Sequence, residues 1–155
     1  FIFLGMMNVE GEPKVIEYNV RMGDPETEVV MPRIQADLIQ LFEATARGEL
    51  KTARFAMDSR YCTTVMLVAK GYPGSYEKGK EIQIGKVEGS LIFHAGTRRE
   101  GEKILTNGGR VIAVSSYGKT MQQALDLSYR NVKEITFEGK TYRGDIGKDL
   151  MKLEN

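Results

Sequence analysis

A chain of 155 residues has the length for one sizeable core, or for one domain with part of a second. Hydrophobic residues make up 41% and charged residues 28%, the balance of a globular chain, and a net charge of +1 gives no global reason to expect a nucleic acid or a membrane surface as partner. No run approaches the roughly 18 apolar residues of a membrane helix, and the single cysteine, Cys62, has no partner for an internal disulfide; the expected location is cytoplasmic.

The chain opens at Phe1, without a Met, inside the strand-like run FIFLGMMNV (1–9), which points to a piece of something longer. A second strand-like run, PKVIEYNVR (13–21), follows the turn-rich Glu10-Gly11-Glu12-Pro13, and the two predict a hairpin. Side chains alternate along a strand, so Ile16, Tyr18 and Val20 share one face and Glu17, Asn19 and Arg21 the other, roughly 6.5–7 Å apart. A solvated polar face is the plain reading of such alternation. Against it, Asn is disfavoured in mid-strand. A Glu oxygen beside an Asn carbonyl oxygen is also a hard, all-oxygen pair, which suits Mg²⁺ when phosphates complete its shell. Arg21 can hold a phosphate or carboxylate oxygen in its planar fork. Gly23 then frees the chain to turn, and Asp24 before Pro25 is pushed toward extended backbone. Asp24 is placed to cap a short helix with Pro25 first and Glu26 in its first turn. Such a corner is a plain strand-to-helix junction and also a rigid mount for carboxylates.

A helix is predicted over 33–47, with Ile34, Leu38, Leu41, Phe42 and Thr45 at helical spacing, Pro32 opening it and Gly48 closing it. Residues 50–60 read as a polar connector. YCTTVMLVA (61–69) is a buried strand, GYPGSYEKG (71–79) a loop, and 81–85, 90–96 and 103–107 short strands. Asn107-Gly108-Gly109 predicts a tight hairpin turn into RVIAVSSYG (110–118). Thr120 and Gln123 form a capping box for a helix over 120–134. A small hairpin around Glu138-Gly139-Lys140 follows, and the tail from 143 ends in a short helix. The fold class is α+β, antiparallel and two-layered, with the break near 50–60.

Outside 17–28 the residue-level readings are structural. Cys62 reads as a core thiol and His94 as a satisfied structural histidine, because no companion nucleophile or base lies near either in sequence. RREGEK (98–103) reads as a solvated turn, and Met6, Met7, Met31 and Met66 as core filler.

Arg21-Met22-Gly23-Asp24-Pro25-Glu26, preceded by VIEYNVR and followed by MPRIQADLIQL, GYPGSY, FHAGT, TNGGRV and a closing DIG, resembles the glycinamide ribonucleotide synthetase (phosphoribosylamine–glycine ligase) family of the ATP-grasp superfamily. Met22 stands where that signature has Leu or Phe, a volume-tolerant change. The resemblance implies that residues 1–50 are the end of an ATP-grasp antiparallel sheet with its helix. Residues 51–155 would then be a small β-rich carboxy-terminal domain with one packed helix. It implies a longer enzyme that uses ATP to join glycine to 5-phosphoribosylamine through glycyl phosphate. By the same pattern Glu17 and Asn19 ligate Mg²⁺ (Mn²⁺ as an alternative), Arg21 is catalytic, and Asp24, Pro25 and Glu26 contact the small substrates. Residues 1–9 hold none of the further carboxylate that ATP-grasp enzymes often place on the preceding strand; Asn8 or water takes that place, or two protein ligands suffice. The parts of such an enzyme that grip adenine would lie elsewhere in it. Two rivals stand beside this reading: another ATP-grasp carboxylate–amine ligase, and a non-catalytic docking module.

Overall fold

The computed structural model of the protein describes residues 1–152. Strands β1 (Phe3–Val9) and β2 (Glu12–Asn19) form the expected hairpin, an antiparallel sheet of their own. Its turn is made by Glu10 and Gly11, both at positive φ, with Asn8 Oδ1 accepting from the Gly11 N–H at 2.8 Å. Phe3 pairs with Asn19, Leu4 with Tyr18 and Gly5 with Glu17, and a bulge follows between Gly5 and Met6. The apolar side chains of the hairpin are uncovered: Tyr18 is 69% and Val20 90% exposed, and Leu4, Met6, Met7 and Ile16 are exposed as well. Met6 and Met7 are therefore not core filler.

The helix expected over 33–47 begins later than expected. The short helix after the corner, α1 (Thr27–Arg33), holds Pro32 in its last turn, and helix α2 (Leu38–Ala46) starts afresh at Asp37. The Asp37 carboxylate accepts from the N–H groups of Ile39 and Gln40 at 2.9 and 3.2 Å, satisfying donors a continuous helix would have used internally. Between them the backbone is extended, and Ile34 makes a bridge with Met57. Residues 50–60 are thus not a free connector: after a single 3-10 turn (Leu50–Thr52) they fold back, Gln35 N–H donating to Ala56 O and Asp58 N–H to Arg33 O.

Two four-stranded antiparallel sheets follow, ordered β10-β3-β8-β5 and β6-β7-β4-β9. Their strands are β3 (Tyr61–Ala69), β4 (Glu81–Ile84), β5 (Ser90–His94), β6 (Thr97–Glu100), β7 (Lys103–Thr106), β8 (Arg110–Gly118), β9 (Ile135–Thr136) and β10 (Lys140–Thr141). Helix α3 (Met121–Val132) packs on β3 and β8, capped as expected by Thr120 Oγ1 accepting from the Gln123 N–H. Val65, Leu67, Ile112, Val114, Val132 and Ile135 form the fully buried core beneath it. Gly118 permits the close approach: a Cβ there would lie 2.4 Å from the Ala124 nitrogen. The buried hydroxyls between sheet and helix satisfy one another, Ser128 with Ser116 at 2.8 Å and Thr63 at 3.1 Å, and Ser90 with Ser116 at 2.6 Å.

Two expected hairpins are crossovers. Asn107-Gly108-Gly109 carries the chain from β7 in one sheet to β8 in the other, because its N–H groups are taken by Gly96 O (2.7 Å from Asn107, 3.0 Å from Gly108) rather than by a partner strand. Glu138-Gly139 likewise separates β9, which pairs with β4, from β10, which pairs with β3. RREGEK is more than a turn, since β6 and β7 pair through it, although its charges are solvated. The tail makes a 3-10 turn at Leu150–Lys152; the rest of its expected helix, 153–155, lies outside the described residues.

Leu67 is fully buried where β3, β8 and α3 meet. Leu67→Ala is expected to lower stability by about 2–5 kcal/mol, read from the urea midpoint at unchanged slope; a loss within experimental error would displace this residue from the core.

Candidate functional site

The site candidates lie on the hairpin end and on the corner after it. Cross-strand pairing puts Glu17 and Asn19 on one face of the hairpin with Gly5 and Phe3. Gly5 makes room for Glu17: a Cβ on Gly5 would lie 2.9 Å from Glu17 Cγ, so the carboxylate arm crosses bare backbone. Among the described residues neither the Glu17 nor the Asn19 side chain is committed to a hydrogen bond or ion pair. Nor do three His, Cys, Asp or Glu side chains cluster among them as a metal site. Two uncommitted hard oxygens on one face with cleared space beside them fit a Mg²⁺ whose remaining ligands come from phosphate and water.

Arg21 is not in step with that pair. Strand β2 ends at Asn19, opposite Phe3, and the chain bends at 20–21. The exposed Arg21 guanidinium folds onto the next residue, Nη1 donating to Met22 O at 3.3 Å.

The corner is built on Gly23, which is buried; a Cβ there would fall 1.9 Å from Glu26 Oε1, because the Glu26 carboxylate lies across it. Thr27 Oγ1 donates to Gly23 O at 2.5 Å and so closes the turn. The helix begins at Thr27 with Glu26 as its first flanking residue and no side-chain cap, so Asp24 does not cap it and Pro25 is not its first residue. Asp24 is engaged elsewhere: Arg110 Nη1 donates to its carbonyl at 2.9 Å and lies 3.6 Å from its carboxylate. Pro25 borders two cavities, one of about 870 Å³ shared with Glu26, Arg33, Arg60 and Cys62, the other of about 520 Å³ shared with Thr64, Tyr72 and Arg110.

Glu28 was not visible in the sequence pattern. Its Oε2 is buried without a hydrogen-bond partner among the described residues. Burial is the main force pushing its carboxyl above the usual range, with Asp24 and Glu26 adding to it, while its own backbone hydrogen bond and Arg110 oppose it.

A second constellation that sequence alone did not reveal surrounds Asp58. Its carbonyl accepts from Arg33 Nε and Nη2 at 3.0 and 2.9 Å, and its carboxylate holds Arg60, whose guanidinium sits 4.3 Å over the Tyr117 ring. The hydrogen bonds from Arg60 hold the Asp58 carboxyl down at about 2. Cys62 is half-buried in the wall of the larger cavity rather than in the core, and burial pushes its thiol up, away from nucleophilic character. His94 is exposed at the end of β5, its Nδ1 3.2 Å from Thr97 Oγ1. The Asp58-Ser59-Arg60 spacing and an arginine directly after a glycine pair were the only signals for these groups.

The family described as phosphoribosylglycinamide synthetase, C domain, matches residues 62–149. The phosphoribosylamine–glycine ligase of Chlorobaculum tepidum is 44% identical over 151 residues, covering 95% of this chain and 36% of that protein. The bifunctional purine biosynthetic protein PUR2,5 of Pichia angusta is 43% identical over 155 residues, covering 97% of this chain and 20% of that one. In crystal structure, the phosphoribosylamine–glycine ligase of Thermotoga maritima superposes with a TM-score of 0.75 at 38% identity, covering 93% of this chain and 36% of that one. The chain spans about a third of the length of such ligases. Among the described residues no helix is long and apolar enough to cross a membrane.

Glu28 and Asp58 predict opposite pH effects on stability. Glu28 holds its proton to higher pH in the folded chain than in the unfolded one, where it titrates near 4.5, so stability falls as pH rises through that value toward the folded pKa. Glu28→Gln removes this loss, and its melting temperature should gain on wild type between pH 4 and pH 7; a constant difference would contradict the raised pKa of Glu28. Asp58 is depressed from 3.8 to about 2, so its contribution is present above 3.8 and lost as pH falls toward 2. Asp58→Asn should therefore flatten the acid limb of the stability profile, and an unchanged acid limb would contradict the Arg60 pairing.

Proposed function

The chain belongs to the phosphoribosylglycinamide synthetase family, which it matches through the C domain, and on that footing we propose that it is the carboxy-terminal portion of an ATP-dependent ligase joining glycine to 5-phosphoribosylamine in purine biosynthesis. Residues 1–50 belong in this reading to the ATP-grasp part and 51–155 to the small carboxy-terminal domain, and the enzyme works in the cytoplasm. The observation that carries it is the Glu17–Asn19 oxygen pair, cleared by Gly5 and followed within ten residues by the corner that Arg110 grips.

The reaction has two halves. The glycine carboxylate oxygen takes the γ-phosphoryl group of ATP, releasing ADP and leaving glycyl phosphate. The amine nitrogen of phosphoribosylamine then attacks the acyl carbon; a C–N bond forms, the acyl C–O bond breaks, phosphate departs with its electron pair, and the nitrogen sheds a proton to solvent. Glu17 and Asn19 would hold Mg²⁺, or Mn²⁺, whose chemistry here is to neutralise charge on the transferring phosphates. Arg21 is the catalytic cation: exposed beyond the strand end and tied only to a neighbouring carbonyl, it can swing to the transferring phosphoryl group, whose charge a fixed guanidinium stabilises. Asp24 and Glu26 present carboxylates to a substrate ammonium, with Pro25 shaping the wall between the two cavities.

In the full-length ligase, Glu17→Gln should cut kcat by an amount corresponding to several kcal/mol, roughly what loss of a charged metal ligand removes, while the melting temperature stays near wild type because Glu17 makes no packing contact in the core. Near wild-type turnover at limiting Mg²⁺ would take Glu17 out of the metal role. The isolated 155-residue chain is expected to release no ADP with glycine and phosphoribosylamine and to bind Mg²⁺-ATP weakly by isothermal titration. Tight binding would mean that the nucleotide site lies within these residues.

A further inference from the structure

Arg110 reaches the corner from 86 positions away in sequence, and the fold goes to some length to bring it there. Along β8, strict alternation from Tyr117 through Ser115 and Ala113 would put Arg110 on the opposite sheet face, toward α3. It does not, because β8 is bulged: Leu67 pairs with Ile112 and Val68 with Arg110, leaving Val111 as the extra residue. Arg110 is thereby turned onto the face that also carries Tyr117, Thr64 and Val68, the face against α1 and the corner. Its backbone is locked in place. The Arg110 carbonyl accepts from the Gly96 N–H at 2.8 Å, a Cβ at Gly96 would lie 2.4 Å from that oxygen, and one at Gly109 would lie 2.1 Å from the Tyr72 ring.

From this fixed root a single guanidinium nitrogen, Nη1, meets both the carbonyl of Asp24 (2.9 Å) and its carboxylate (3.6 Å). The corner it grips holds three carboxylates within five residues, Asp24, Glu26 and Glu28, one of them with a buried and unpartnered oxygen. An exposed ion pair by itself is worth little. The charge-assisted bond to a main-chain carbonyl is different, because it fixes where the backbone turns.

We propose that Arg110 is a positioning residue for the corner: it pins Asp24 through its carbonyl and supplies the positive field that offsets the Asp24–Glu26–Glu28 cluster, so that the Asp24 and Glu26 carboxylates face the amine-bearing substrates in one fixed arrangement. What the corner binds rests on the ligase reading; the grip itself does not. Asp24, Glu26 and Arg110 are the charged groups that act on Glu28, and of these Arg110 alone favours its ionised form. Taking Arg110 away therefore moves Glu28 to a higher pKa.

Two experiments test this separately. In the 155-residue chain, carbon-detected NMR titration of the carboxyl groups should show the Glu28 midpoint rising in Arg110→Met and returning toward wild type in Arg110→Lys; Arg110→Gln replaces the methionine variant should that one fold poorly. In the full-length ligase, Arg110→Met should lower kcat/KM roughly tenfold or more, the effect expected for losing a charge-assisted hydrogen bond, and move the acid limb of the pH–rate profile upward, with partial rescue by Arg110→Lys. A Glu28 midpoint that does not move, or a variant whose only change is a lower melting temperature with kcat, KM and the acid limb intact, overturns the proposal. If the wild-type ligase shows no glycine-dependent ADP release, the ligase reading falls, and the NMR titration still decides whether Arg110 governs the corner.

Discussion

The corner and helix α1 are hung on strand β8. The strand is flanked by β3 and β5 and buried without interruption from Val111 to Ser116, so its register is tightly specified: a slip of one residue would move Val114 and Ile112 from the face against α3 to the opposite face. From this immobile element two side chains reach back to the segment before β3. Arg110, at the start, holds Asp24; Tyr117, near the end, donates its hydroxyl to Pro32 O at 2.5 Å. The corner and α1 are thus fastened at both ends to one strand. That constraint, more than the intrinsic preference of a seven-residue helix with a proline in it, explains why residues 24–33 are where they are.

The hairpin pairs with no other strand among the described residues. It is a two-stranded sheet with its apolar side chains exposed, and a hairpin alone is marginal in water. The Glu17–Asn19 pair is therefore aimed locally, by the cross-strand register and by the missing side chain at Gly5, while the acidic corner is aimed globally, by β8. Arg21 stands at the joint between the two, past the end of the strand and held only by its neighbour's carbonyl. The Glu17–Asn19 pair and the acidic corner thus have different anchors, joined through residues 20–22, where the ladder has ended and the helix has not begun.

How much of this was legible beforehand depended on the range of the interaction involved. Local patterns read correctly: the alternation that put Glu17 and Asn19 on one face, the Thr120 cap, and the RMGDPE run that carried the family resemblance. The late start of α2 was written in Asp37, but its capping signal was masked by Ile34, which falls at helical spacing with Leu38 and Leu41 yet lines the same groove from the extended segment before the helix. The glycine turns at 107–109 and 139 were recognised as turns and misread as hairpins, because which strand a chain joins next is decided by a distant partner. Arg110 was beyond reach for the same reason: its direction depends on a bulge opposite Val68 that no alternation count contains. Glu28 carries no sequence signal of its own; the burial of its Oε2 distinguishes it.

The two fastenings of the corner differ in kind, and the difference bears on what the site can do. The Tyr117 bond joins a neutral hydroxyl to a carbonyl in a partly buried setting, and burial raises the Tyr117 phenol further from ionisation, so this contact is insensitive to pH and salt across the range where the protein is folded. The Arg110 bond is charged and partly exposed, Arg110 being 36% and Asp24 54% accessible, so its field is open to screening and to competition from an incoming anion. The neutral contact sets position; the charged one sets how strongly three crowded carboxylates repel one another. A cationic amine arriving at the corner relieves that repulsion, and an anionic group arriving at Arg110 strengthens it. Groups of opposite charge would thereby act on the same few residues through one guanidinium.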